Sequence, residues 1–260
     1  SRPYGNKVRI RSVDNVAEEI ERNIDKYNCK EMMFCDETFT VNKKHVSGLC
    51  DKILERELNE GLQWNAMVHA NTVDLALLRK MKQAGCVYLG FGVESGDHDI
   101  IASMGKGISR AKVLMVAKMI KSTGIELGAY YIFGHPNETL KQCKETVKLA
   151  VEINADISAF GIMVPYPGSQ VWEMAIRGRG GYKSISQNWQ DYNKQISNAV
   201  ELENISRSTL ERIQLLAYAK VYIYNYKFIE IFQIIYRYRK RLYFKIWKLI
   251  SKTFSLGRAR

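Results

Sequence analysis

The chain has 260 residues, 46% of them hydrophobic, enough for one sizeable domain with an appendage, and no apolar run approaches the roughly 20 residues of a membrane span. Five cysteines without paired spacing argue against a disulfide framework and for a reducing compartment, the cytoplasm. The net charge of +12 is uneven: residues 218–260 hold eleven Lys/Arg against one acid, Glu230, so the body of the chain is close to neutral.

The start, SRPYGNKVRIRS, is polar and basic, unlike a signal peptide, and has no initiator Met. A piece of a longer protein is therefore expected. Ser12 is placed to cap a helix from Val13 to Tyr27, with Val16, Ile20 and Ile24 on one face. Glu31 to Cys35 (EMMFC) predicts a buried strand that ends in Asp36, Glu37 and Thr38. Helical spacing returns from Asn42 to Glu60, and Gln63 to Val68 (QWNAMV) predicts a second strand followed by His69 and Asn71. Thr72 is the expected cap of a helix carrying Leu75, Leu78 and Met81, which Gly85 ends.

Tyr88 to Gly96 (YLGFGVESG) is the stretch around which the rest is organised. It predicts a strand containing Gly90 and Gly92, glycines that signal close approach to the backbone, with Glu94 and Ser95 at its end. Capping of the next helix, Asp97 to Met104, is the plainer role for Glu94. Ser109 then caps Arg110 to Lys121, and Glu126 to Phe133 (ELGAYYIF) predicts a strand ending in GHPNET. Glu138 to Ile153 is helical, and Ile157 to Val164 (ISAFGIMV) is the last strand, running into Pro165 to Gly168. Five strands alternating with helices predict parallel βαβ units, in which chemistry gathers at the C-terminal strand tips. Residues 176–205 suggest a loop-rich cover. Ser208 to Glu211 (STLE) suggests a capping box opening a helix to about Tyr226, with a second helix from Lys227 to Thr253.

FCDETFT (34–40), NTVDLALLRKMKQAG (71–85), FGVESGD (91–97), MGKGIS (104–109), YIFGHPNET (131–139) and PYPGS (165–169) follow one another in order and spacing. Together with VRIRS before the first helix, they resemble the radical S-adenosylmethionine (radical SAM) core domain. The likeness covers roughly residues 7–175 and is closest in character to the branch with an N-terminal cobalamin-binding domain. It implies an α/β fold, a partial (β/α)6 TIM-like barrel lacking its first strand, over residues 1–175. Residues 176–205 would be the cover and residues 206–260 a helical extension.

The resemblance also implies cofactors: S-adenosylmethionine, a 4Fe–4S cluster held by a CxxxCxxC loop, and, for this branch, cobalamin. Reductive cleavage of the sulfonium yields a 5′-deoxyadenosyl radical, used for substrate methylation or rearrangement. The chain has no CxxxCxxC, and Cys29, Cys35, Cys50, Cys86 and Cys143 suggest buried structural thiols instead. No metal ligands are assigned; the cluster loop is expected upstream of Ser1.

Carried over position by position, Asp36, Glu37 and Thr38 would meet the methionine ammonium, unless they form an Asx-type turn. Glu94 and Ser95 would meet the ribose hydroxyls or the amino-acid end. Phe133, Gly134 and Glu138 would hold the adenine, and Val164 and Tyr166 would complete that pocket or merely pack the loop. His69 stands where relatives often have Arg near the carboxylate, but a neutral His offers no guanidinium fork. Met32, Met33, Met67 and Met163 suggest core filling; His135 at the barrel mouth is a weak acid/base candidate. The implied partners are a small-molecule or lipid-like substrate and a reductant such as flavodoxin or ferredoxin. Aromatics interleaved with bases after Tyr218 allow peripheral contact with an inner membrane surface; nucleic acid is disfavoured. Two alternatives stay open: a tRNA methylthiotransferase-like enzyme and a non-catalytic scaffold that lost its cluster.

Overall fold

The computed structural model describes residues 8–105, 107–193 and 199–225. The second helix expected at Lys227–Thr253 lies outside the described residues.

Five strands, β1 (Glu31–Phe34), β2 (Gln63–Val68), β3 (Cys86–Glu94), β4 (Glu126–Phe133) and β5 (Ile157–Ile162), form one sheet in sequence order, every pair parallel. Helices α1 (Val13–Tyr27), α2 (Lys43–Glu55), α3 (Leu75–Gln83), α4 (His98–Ser103), α5 (Arg110–Ser122) and α6 (Leu140–Ile153) alternate with the strands. Neighbouring helices touch in the series α1, α2, α3, α5, α6, so they make a continuous layer on one face of the sheet. This is an open part of a (β/α) barrel, as the alternation predicts.

Strand alternation assigns the two faces. Trp64, Ala66, Val68, Leu89, Phe91, Leu127, Ala129, Tyr131, Phe133, Phe160 and Ile162 are buried under the helices. Asn65, Met67, Tyr88, Tyr130, Ile132 and Gly161 alternate with them on the concave face and are half-buried. Of the four methionines read as core filling, Met32 packs against the core, Met67 is half-buried on the concave face, Met163 is half-buried past β5, and Met33 is 59% exposed.

Element ends mostly agree with the sequence, with specific corrections. Asp74, not Thr72, caps α3, its carboxylate accepting from Leu77 N; Thr72 instead ties its own loop to Thr40. The helix after the GHPNET loop opens at Thr139 with a reciprocal capping box to Gln142, so Glu138 lies outside it. β1 and β5 stop at Phe34 and Ile162, short of the expected ends.

Within the loop-rich cover, which follows α7 (Gln170–Ile176), two short strands, β6 (Tyr182–Ile185) and β7 (Val200–Leu202), pair antiparallel. Helix α8 (Arg207–Tyr224) is capped by Ser206, not Ser208. It takes the next place in the helical layer, against α6 and β5. Gln214 Nε2 donates to Phe160 O (2.6 Å) and Phe160 N donates to Tyr218 Oη (3.1 Å), so α8 satisfies backbone groups on the outer edge of β5. No helix among the described residues is long and apolar enough to cross a membrane.

Candidate cofactor site at the strand tips

Because all five strands run parallel, their C-terminal ends share one rim. Past β1, Asp36 and Glu37 are exposed and Thr38 is half-buried. Neither carboxylate caps the following helix, since Asn42 takes that role for α2. Neither makes an ion pair or hydrogen bond among the described residues, so both are open to a ligand cation. Thr40 Oγ1 meets Thr72 Oγ1 at 2.6 Å and locks the β1 tip to the β2 tip.

At the β2 tip, His69 Nδ1 accepts from Asn71 N (3.3 Å). In the neutral ring the proton therefore sits on Nε2.

Glu94 ends β3 with φ +66°, the left-handed region that non-glycine residues avoid. The register slips there: Gly92 pairs with Tyr130 and Glu94 with Tyr131, leaving Val93 as the extra residue of a bulge. Such a bulge re-aims a side chain at a barrel rim. The next residue behaves differently from expectation. Ser95 is fully buried, its Oγ 3.1 Å from Thr146 Oγ1 of α6. Its hydroxyl serves helix packing. Gly96 explains why: a Cβ there would lie 2.4 Å from Glu145 O, so α6 presses on this turn. Asp97 caps α4 and also accepts from Gln142 Nε2 (2.9 Å), joining the β3 and β4 tips.

At the β4 tip, Gly134 has φ +89°. Glu138 is fully buried, and its Oε2 accepts from Gly134 N (2.6 Å) and His135 N (3.1 Å). Burial pushes its pKa up to about 7, against the opposing pull of those two N–H groups. Glu138 thus shapes the Gly134 backbone from below. Tyr182 Oη donates to Gly134 O (3.0 Å) and Asn137 N donates to Gly180 O (2.7 Å), so the cover buttresses this loop. Phe133 corrects another expectation. It is fully buried on the helix side, its ring parallel to Phe160 at 5.8 Å, facing away from the concave face. Val164 is half-buried and Tyr166 is 42% exposed at the β5 rim. His135 is buried.

The concave face holds a pair that the sequence did not suggest. Tyr88 Oη and Tyr130 Oη lie 2.7 Å apart. A Cβ at Gly90 would meet Met67 Sδ at 2.6 Å and Tyr130 Cε2 at 2.7 Å; one at Gly128 would meet Tyr88 Oη at 1.8 Å. The glycines of β3 and β4 are thus floors for two tyrosine rings.

The donors needed for an iron–sulfur cluster are a separate matter. Cys50, Cys86 and Cys143 are buried as expected, but Cys29 is half-buried and Cys35 exposed, so the buried-thiol reading does not hold for those two. Among the described residues no three His, Cys, Asp or Glu gather as metal ligands. The five cysteines do not fit a cluster.

A family model of the radical SAM superfamily matches residues 1–150. The chain belongs to the radical SAM superfamily. Among its relatives, an uncharacterized methyltransferase of Pyrococcus horikoshii is 30% identical over 220 residues, 85% of this chain and 47% of that protein. An anaerobic magnesium-protoporphyrin IX monomethyl ester cyclase of Rubrivivax gelatinosus is 25% identical over 167 residues, covering 64% of this chain and 30% of the cyclase. Thus the chain spans less than half the length of these relatives. The radical S-adenosylmethionine methyltransferase TsrM from Kitasatospora setae, solved with cobalamin and a 4Fe–4S cluster, superposes with a TM-score of 0.59. The identity is 16%, over 64% of this chain and 32% of TsrM, a likeness of fold.

Proposed function

We propose that this chain is the S-adenosylmethionine-binding part of a radical SAM enzyme that methylates or rearranges a small-molecule or lipid-like substrate, with cobalamin as a second cofactor. The observation that carries this is the rim itself: unpartnered Asp36 and Glu37 past β1, His69 at the β2 tip, and Glu94 held at φ +66° beside the bulge. Asp36 and Glu37 suit the methionine ammonium, with Thr38 beside them. His69 donates to the cofactor carboxylate, and Glu94 takes the ribose hydroxyls. The Gly134 backbone, shaped by Glu138, and Val164 border the adenine. Phe133 and Ser95 act behind these groups by packing. The concave face around Tyr88, Tyr130 and Met67 is left for the substrate.

S-adenosylmethionine bound to a reduced cluster supplies a carbon radical that abstracts hydrogen, and the protein supplies orientation and exclusion of water. None of the five cysteines serves as a cluster ligand in this reading, so the cluster is held by residues outside this chain. An electron-donor protein of the flavodoxin or ferredoxin type, a reducing compartment, and contact of residues 218–260 with an anionic membrane surface complete the proposal.

The test expresses the chain together with its flanking coding sequence, reconstitutes it anaerobically with iron and sulfide, and adds S-adenosylmethionine and dithionite. Release of 5′-deoxyadenosine is expected. A cluster-free protein that binds no S-adenosylmethionine would favour the scaffold alternative. Transfer of both sulfur and methyl to tRNA would favour the methylthiotransferase.

A further inference from the structure

Helices α6 and α8 lie side by side in the helical layer, and a groove of about 580 Å³ runs between them. Its apolar lining comes from Leu140 and Val147 on α6 and from Ile213 and Leu216 on α8, each set at helical spacing. Four cations stand along it, Lys144 and Lys148 from α6 and Arg212 and Lys220 from α8, and no carboxylate among the described residues lines it. Lys148 is paired with Glu145 at 2.6 Å. Lys144, Arg212 and Lys220 have no carboxylate at ion-pair distance among the described residues. The apolar surface continues past the groove: Leu215, Leu216, Ile223 and Tyr224 are each more than half exposed. Scattered surface leucines need no explanation, but a contiguous apolar groove with a single-sign rim does.

We propose that this groove docks the protein on an anionic phospholipid membrane, taking a lipid headgroup between Lys144, Arg212 and Lys220 while the apolar floor and Tyr224 meet the acyl boundary. The volume is that of a small-ligand site. Charge selects the occupant. Residues 226–260 carry ten Lys/Arg against one acid, so this segment would bring like charge to the groove. A second copy docked face to face would set the same cations against one another. An anionic bilayer meets both features at once, cations at the headgroups and exposed leucine and tyrosine at the interface. The site goes beyond the catalytic reading, because it lies between two helices of the outer layer and uses none of the rim residues.

The experiment is co-sedimentation of the full chain with phosphatidylcholine vesicles containing phosphatidylglycerol, at low and at physiological salt. Lys144→Gln/Arg212→Gln/Lys220→Gln is expected to bind about 100-fold more weakly, at roughly fivefold per basic residue near an anionic surface. Leu216→Asp is expected to lose binding as well. Lys30→Gln/Lys44→Gln/Lys118→Gln, which removes the same charge elsewhere, is expected to bind within about threefold of wild type after that loss of net charge. All variants keep residues 226–260, so the contrast reads the groove. Circular dichroism melts establish that each variant folds. Binding lost equally in both charge variants would overturn the proposal, as would no vesicle binding by wild type at low salt. So would a dimer broken by Leu216→Asp, or competition by inorganic phosphate at millimolar levels, which would point to a free-anion site.

Discussion

Glu138 Oε2 accepts a 2.6 Å hydrogen bond from Gly134 N, so a fully buried carboxylate holds the one glycine on which the β4 tip turns. Its Oε1 makes no hydrogen bond among the described residues, and the Cys143 thiol beside it adds only a weak pull toward the charged form. Desolvation therefore dominates and raises the pKa to about 7 from the usual 4.5. For a raised carboxyl, the folded state binds the extra proton between these values. The stability it contributes is full below pH 4.5 and is lost as pH rises through 7, a change of about 3 kcal/mol. Glu138→Gln is expected to flatten this dependence while keeping an acceptor for both N–H groups. Urea unfolding at pH 5 and pH 8 checks it: the difference between variant and wild type should move toward the variant at pH 8. A difference independent of pH would show that the carboxyl does not titrate there. Glu138→Ala leaves two buried donors unpaired and should cost about 1–3 kcal/mol for each.

On the concave face, Gly128→Ala is expected to destabilise by about 1–3 kcal/mol, because the new methyl would overlap Tyr88 Oη at 1.8 Å. In the Tyr88→Ala background the same change should cost far less. Thermal unfolding of the double-mutant cycle measures the coupling. Additive losses would mean that Tyr88 does not rest on this glycine.

These two sites mark what was legible in the sequence and what was not. The five strands, their parallel order and the rim positions Asp36, His69, Glu94 and Gly134 follow from alternation, helix caps and motif spacing. Side-chain direction is harder to read. Phe133 and Ser95 fall inside motifs, yet Phe133 points to the helices and Ser95 reaches Thr146, a contact 51 residues away in sequence. Thr72 and Ser208 look like caps locally, but Asp74 and Ser206 hold those places. The β6–β7 pair is not legible in the sequence because its strands are four and three residues long and pair across a long gap. Its Tyr182 bond to Gly134 O was equally out of reach.

The cysteines give a direct chemical check. Cys35 is exposed, whereas burial pushes the Cys50 thiol up to about 12 and those of Cys86 and Cys143 higher still. Thiolate is the reactive form. Native protein at pH 8 should therefore react quickly with Ellman's reagent at Cys35, more slowly at half-buried Cys29, and at all five thiols only after denaturation. Fast modification of Cys50, Cys86 or Cys143, located by peptide mass spectrometry, would contradict the packing described here.

Glu94 allows strain and charge to be separated. Its left-handed backbone, φ +66°, costs a non-glycine residue about 1–2 kcal/mol. Such strain persists where the neighbouring structure fixes it, as α6 does here through Gly96 and Thr146. Glu94→Gly removes the strain and the carboxylate together. Relief of the backbone offsets the entropy of glycine, so stability should hold or rise by up to about 1 kcal/mol. Glu94→Gln keeps the strain and removes only the charge, so its stability set beside that of Glu94→Gly reads the backbone strain. If the carboxylate meets the ribose hydroxyls, both variants should bind S-adenosylmethionine at least tenfold more weakly, as expected for loss of a charged hydrogen bond. Equilibrium dialysis with labelled S-adenosylmethionine on the reconstituted protein, beside urea melts, makes the comparison. Unchanged affinity in both variants, with Glu94→Gly the more stable, would leave Glu94 as a turn residue without a ligand.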